Sequence, residues 1–94
     1  PALCRRIAAA VERNPDEYVL ELGAGTGVVS QALIAAGIPP ERLIVVEIVP
    51  EMAEHLRERL PGVNVVGGDA FDLKNVLPAS MQGRIGTAIC GIPL

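Results

Sequence analysis

The sequence predicts an α/β fold with a parallel sheet and flanking helices. Three observations carry this reading. Short apolar runs suited to strands alternate along the chain with stretches of helical periodicity. The runs are apolar at successive positions, as in Leu43-Ile44-Val45-Val46, which suits strands covered on both faces. Three glycines, Gly23, Gly25 and Gly27, stand directly behind the first such run, where a strand hands over to a helix.

Each element follows from local pattern. The opening "PALCRRIAAAVER" carries Leu3, Ile7 and Val11 at steps of four, a helical stripe that Asn14-Pro15 ends. "EYVLEL" reads as the first strand. "VVSQALIAAG" reads as a helix closed by Gly37 as its C-cap and by Pro39-Pro40. "RLIVVEIV" is the second strand. "PEMAEHLRERLPG" is a helix with Pro50 suited to its first position. Glu51 and Glu54 sit near its positive end and Arg57 and Arg59 near its negative end. Its expected inner stripe is Met52, Leu56 and Leu60. "VNVVGGD" is the third strand and "FDLKNVLPAS" a short helical turn that Asp72 would cap. "RIGTAICGI" is the fourth strand, weakened by Gly86.

Composition bounds the function. The chain has 94 residues, enough for one domain. Half of them are hydrophobic, yet Tyr18 and Phe71 are the only aromatics, so the core is expected to be Ala, Val, Leu and Ile. The formal net charge is −3, and the arginines and Lys74 are scattered among acids. That pattern supplies no electrostatic footprint for nucleic acid and no polybasic membrane signal. Cys4, Cys90 and the single histidine, His55, are far apart in sequence, which argues against a metal site. The two cysteines are expected to be free, buried thiols in a reducing cytoplasm, and His55 a surface residue. No segment has the length of a transmembrane span and no signal peptide is visible, so a cytoplasmic location is expected. The chain begins with Pro1 and stops inside "TAICGIPL". Residues 1–94 are therefore expected to be one incomplete domain that lacks C-terminal strands.

The candidate site lies where open parallel sheets bind ligands, beyond the carboxyl ends of the strands. Gly23, Gly25 and Gly27 follow the first strand, Glu47 ends the second and Asp69 follows the third. A glycine loop lets a ligand approach backbone amides. An acid ending the next strand can take both hydroxyls of a ribose, and a third acid-bearing loop can read an adenine edge. Together they describe an adenosine-containing ligand. The simpler alternatives are a tight turn, a solvated acid and a turn aspartate, and the convergence of three strand ends weighs against them. Glu21 lies within a buried strand, where a carboxylate needs a partner. The spacing is G-x-G-x-G, with Val28 where the dinucleotide fingerprint has its last glycine, which counts against a nicotinamide cofactor. No Gly-Lys-Ser/Thr follows, so the loop is not a phosphate-binding P-loop.

"VLELGAGTG" resembles the first motif of class I S-adenosylmethionine-dependent methyltransferases, "VVEIVPEM" their second acidic motif and "VVGGDAFDL" their third. "AICGIPL" falls where their fourth motif lies. The resemblance implies a Rossmann-like fold, here its N-terminal half with sheet order 3-2-1-4, and S-adenosyl-L-methionine as cofactor. It implies that Glu21 and the loop Gly23, Ala24, Gly25 and Gly27 hold the methionine part. Glu47 would bind the ribose with Ile48 packing on adenine, and Asp69 and Ala70 would flank the adenine edge. Gly91 would lie beside the transferred methyl group as the catalytic position.

Within that class, rRNA adenine dimethyltransferases carry an Asn-Leu-Pro-Tyr type of fourth motif. Here the matching positions are Gly91, Ile92, Pro93 and Leu94, without the amide or the aromatic. Bacterial phospholipid N-methyltransferases have a Gly-Leu-Pro-Leu type there, and the stretches "PALCRRIAAAV" and "RLIVVEIVPEMAEHLRERLPGV" are similar to theirs. The resemblance implies methylation of a phosphatidylethanolamine amine toward phosphatidylcholine, by a protein in contact with the inner membrane surface. The alternatives are methylation of an rRNA adenine or another small substrate, a non-catalytic adenosine-cofactor module, and a nicotinamide-binding domain. An uncovered fourth strand is expected to promote self-association.

Overall fold

The computed structural model describes Asn14 and residues 16–90. The helix expected over residues 1–13 and the residues Gly91, Ile92, Pro93 and Leu94 lie outside the described residues, as does Cys4. Four strands form one sheet: β1 (Tyr18–Leu22), β2 (Leu43–Glu47), β3 (Asn64–Gly67) and β4 (Ile85–Cys90). All pairings are parallel and the order is β3-β2-β1-β4, as the sequence predicts. The helices are α1 (Val28–Ala35), α2 (Pro50–Arg59) and the single turn α3 (Leu73–Val76), with short 3-10 turns at Pro40–Arg42 and Ala70–Asp72.

Side chains alternate across the sheet and build two cores. On one face Val19, Leu43 and Val45 meet Leu33 of α1, Leu56 of α2 and Leu60 at its C-cap. On the other, Leu20, Ile44 and Val46 meet Leu77, with Leu73, Val76 and Met81 packed beside it. β2 is buried along its whole length, which accounts for its unbroken apolar run. α1 closes with a Schellman motif. Ile38 N donates to Leu33 O at 3.1 Å and Gly37 N to Ile34 O at 3.0 Å, with Gly37 at φ 107°. Gly37 thus stands one residue beyond the cap, which is Ala36.

Several local expectations are corrected. The inner stripe of α2 is Ala53, Leu56 and Leu60, with Met52 only half-buried, because the α2 axis turns Ala53 toward the sheet. Cys90 is exposed, not a core thiol. It shares the outward side of β4 with Gly86 and Ala88, and nothing among the described residues covers that side. Asp72 makes no cap bond to α3; its Oδ1 accepts instead from the Asn75 side chain at 2.8 Å. Gly86 is where the β1–β4 register shifts, since Tyr18 pairs with Ile85 and Val19 with Thr87. A Cβ there would stand 2.9 Å from the Glu17 carboxyl carbon, so the glycine accommodates a crossing side chain. His55 is exposed as expected. Among the described residues, no helix is long and apolar enough to cross a membrane.

Candidate cofactor site

The carboxyl ends of β1, β2 and β3 surround a cavity of about 330 Å³ lined by Gly23, Val46, Glu47, Ile48, Gly68, Asp69, Ala70 and Phe71. Five of the residues singled out in the sequence therefore share one hollow: Gly23, Glu47, Ile48, Asp69 and Ala70. Glu21, Ala24, Gly25 and Gly27 do not line it. Val46, Gly68 and Phe71 complete the lining, and the doubled glycine Gly67-Gly68 was the sequence signal for part of it.

The glycine loop owes its composition to its backbone path. Gly23, Gly25 and Gly27 have φ of 67°, 59° and 86°, a region that residues with a Cβ rarely adopt. Their amides are already engaged. Gly23 N donates to Val46 O at 2.8 Å, Gly25 N to Glu47 Oε1 at 3.2 Å and Gly27 N to Ala24 O at 3.0 Å. In this structure these amides tie the loop to β2 and to itself. Ala24 packs against the core on the α1 side. Gly27 also lets α1 approach α2, since a Cβ there would stand 3.1 Å from Leu56 Cδ2.

Glu47 is the organising acid. It is only 7% exposed. Its Oε1 accepts from Gly25 N, and its Oε2 accepts from Val49 N at 3.3 Å. Both bonds are long, and a carboxylate offers about four lone-pair sites, so capacity remains for a diol. Asp69 Oδ1 accepts from Phe71 N at 2.9 Å and so fixes the turn that follows β3. Phe71 is held there, 94% exposed at the cavity and outside the core. Gly68 permits the turn to sit against α3, because a Cβ would fall 2.7 Å from Val76 Cγ2. Gly68→Ala is expected to destabilise the fold by about 1–3 kcal/mol, the usual cost of overpacking. Val76→Ala in the same chain should recover most of that loss, read by thermal melting of the single and double variants.

Glu21 is fully buried on the α1 side of β1. Its Oε1 accepts from the Ser30 hydroxyl, a partner the sequence reading did not name, and its Oε2 has no partner among the described residues. Burial pushes this carboxyl above its ordinary value of 4.5, partly offset by the Ser30 bond. The folded state then holds its proton to higher pH than the unfolded chain. The Glu21 contribution to stability is therefore greatest below 4.5 and is lost as pH rises through the raised value. Glu21→Gln, which keeps an acceptor for Ser30 but does not titrate, should match the parent in melting temperature at low pH. It should gain on it toward neutrality, in melts recorded across that range.

These residues fit an adenosine cofactor. The cavity volume lies at the low end of the range of about 300–1,000 Å³ typical of small-molecule sites. A buried acid at a strand end suits a ribose diol, and the exposed face of Ile48 suits a purine. Among the described residues no group of three or more His, Cys, Asp or Glu is placed to hold a metal ion.

Comparison with known proteins agrees. A family model described as a methyltransferase domain matches residues 19–85. Ribosomal RNA small subunit methyltransferase A of Chlorobium phaeobacteroides is 35% identical over 92 residues, 93% of this chain and 33% of that protein. Ornithine lipid N-methyltransferase of Singulisphaera acidiphila is 32% identical over 97 residues, 100% of this chain and 50% of that protein. The crystal structure of the 23S rRNA methyltransferase ErmE superposes with a TM-score of 0.60 at 32% identity, covering 76% of this chain and 29% of that one. The chain thus spans half or less of the length of these relatives. Because the matched stretch runs from β1 to the start of β4 and contains every strand end around the cavity, the chain belongs to the methyltransferase domain family, with the Rossmann-like fold of class I and S-adenosylmethionine as the methyl donor of that class.

Proposed function

We propose that this chain is the cofactor-binding part of an N-methyltransferase that acts on a phospholipid amine head group, converting phosphatidylethanolamine toward phosphatidylcholine. The observation that carries the choice of acceptor is the charge of the cavity rim. Two acids, Glu47 and Asp69, line the cavity and no basic residue does, whereas Arg42 and Arg84 flank the strand starts at the opposite edge. An acidic rim attracts an ammonium head group and repels a phosphate backbone. The match of this whole chain to half of an ornithine lipid N-methyltransferase supports the same reading. So does the Gly-Ile-Pro-Leu sequence at residues 91–94, which lacks an amide and an aromatic for a base. On this reading the protein works in the cytoplasm at the inner membrane surface.

The cofactor, when bound, supplies an electrophilic methyl group on sulfur. What the chain contributes is placement. Glu47 would hold the ribose end by its carboxylate, which the Gly25 and Val49 amides keep in position. The resemblance to the family assigns Gly91, which lies outside the described residues, to the position beside the transferred methyl group. Holding two reactants in line can supply about 7–11 kcal/mol of the barrier, so no nucleophile or acid–base pair is required in the sequence.

The second reading is methylation of an rRNA adenine, favoured by the similarity to rRNA small subunit methyltransferase A and to ErmE. One experiment separates them. The chain within its full-length protein is supplied with methyl-labelled S-adenosylmethionine, total lipid and ribosomal RNA. Label in the lipid extract is expected; label in RNA alone would overturn the lipid assignment. Parallel titrations with S-adenosylhomocysteine and NADH test the cofactor separately: binding of the first is expected, and binding of only the second would overturn it.

A further inference from the structure

We propose that Arg42 and Arg84 form a binding site for a phosphate dianion at the edge of the sheet opposite the cofactor cavity. Arg42 precedes β2 and Arg84 precedes β4, yet the fold brings both guanidinium groups to the start of β1. Arg42 Nη1 donates to Asp16 O at 3.3 Å and Arg84 Nη2 donates to the same oxygen at 3.4 Å. Both also lie over the Tyr18 ring, with guanidinium carbons 5.1 and 6.0 Å from its centroid. The ring and the shared carbonyl hold two positive groups together that would otherwise repel. Two nitrogens within 3.4 Å of one oxygen are close enough to address oxygens of a single phosphate.

Neither arginine forms an ion pair among the described residues. The nearest acid in sequence to the ring, Glu17, turns its Oε1 to the Asn14 amide at 3.0 Å instead. The Asp16 carbonyl carries no formal charge and no ion pair among the described residues neutralises the two guanidinium groups, of which Arg84 is exposed and Arg42 half-buried. Two guanidinium groups gathered over one ring can make bidentate contacts with phosphate oxygens, and two of them balance a dianion better than a monoanion. The site is independent of the methyl-transfer reading, because it lies at the start of β1 and the cavity lies beyond its end. The ligand is inorganic phosphate or the phosphomonoester of a small molecule.

The test uses Tyr18 as its own reporter, since the chain has one tyrosine and no tryptophan. Inorganic phosphate, then glycerol 3-phosphate, are titrated against the chain at constant ionic strength balanced with chloride. Expected are a saturable change in Tyr18 fluorescence and a rise in melting temperature, since the anion binds the folded state. Arg42→Gln and Arg84→Gln should each weaken binding by about tenfold or more, and Arg84→Lys by less, because it keeps the charge but loses the fork. Saturation by both compounds identifies a phosphomonoester site, and saturation by inorganic phosphate alone a site for the free anion; either upholds the proposal. A response that matches chloride in the parent chain overturns it, and that arm needs no variant to fold. Unchanged phosphate binding in folded Arg42→Gln and Arg84→Gln overturns it equally.

Discussion

Glu47→Ala is expected to weaken S-adenosylhomocysteine binding by about 100-fold, the equivalent of one or two hydrogen bonds to a charged group at about 1.5–3 kcal/mol each. Two losses combine. The ribose loses its carboxylate, and the Gly25 and Val49 amides lose the acceptor that holds their turns in place. Glu47→Gln keeps one acceptor and should cost only about tenfold, because the lost share is the charge assistance. Isothermal titration measures both, with circular dichroism melting to confirm that each variant is folded. A folded Glu47→Ala chain that binds the ligand as tightly as its parent would remove the basis for placing the ribose there.

The second large effect is on stability. Gly27→Ala combines two penalties at one position. A residue with a Cβ at φ 86° bears left-handed strain of about 1–2 kcal/mol. The added carbon would also press on Leu56 Cδ2 at 3.1 Å, where both helices are fully packed. Together these should cost about 3 kcal/mol. For a domain of this size that lowers the melting temperature by more than about 10 °C. Gly25→Ala is the matched control: φ is 59°, but nothing stands within 4 Å of its added carbon. It should lose only the strain, roughly half as much. Equal losses at the two positions would show that helix approach is not what Gly27 provides.

The fold was legible in the sequence because its determinants are local. Apolar runs of four to six residues, proline at the start of α2 and Gly37 past the end of α1 each act within one turn or one strand. The strand order then follows from short, right-handed crossovers. The site was legible in outline for the same reason, since Glu47 and Asp69 stand at strand ends and a parallel sheet puts such ends on one rim. The misplaced details were contacts across the fold. Met52 and Ala53 differ by 100° of helix rotation, which periodicity alone resolves poorly. Cys90 has a core-like sequence environment, but its exposure depends on what covers β4.

Residue order therefore specified which strands form, how they are ordered and which acids reach the cavity. It did not specify that the loop glycines would spend their amides on Val46 and Glu47, that Ser30 would meet Glu21, that Gly68 would make room for Val76, or that Arg42 and Arg84 would converge on Tyr18. Those partners lie 8 to 66 residues apart in the chain. Hydrogen bonds and side-chain contacts reach only a few ångströms, so pairings at such separations exist only once packing has brought the elements together.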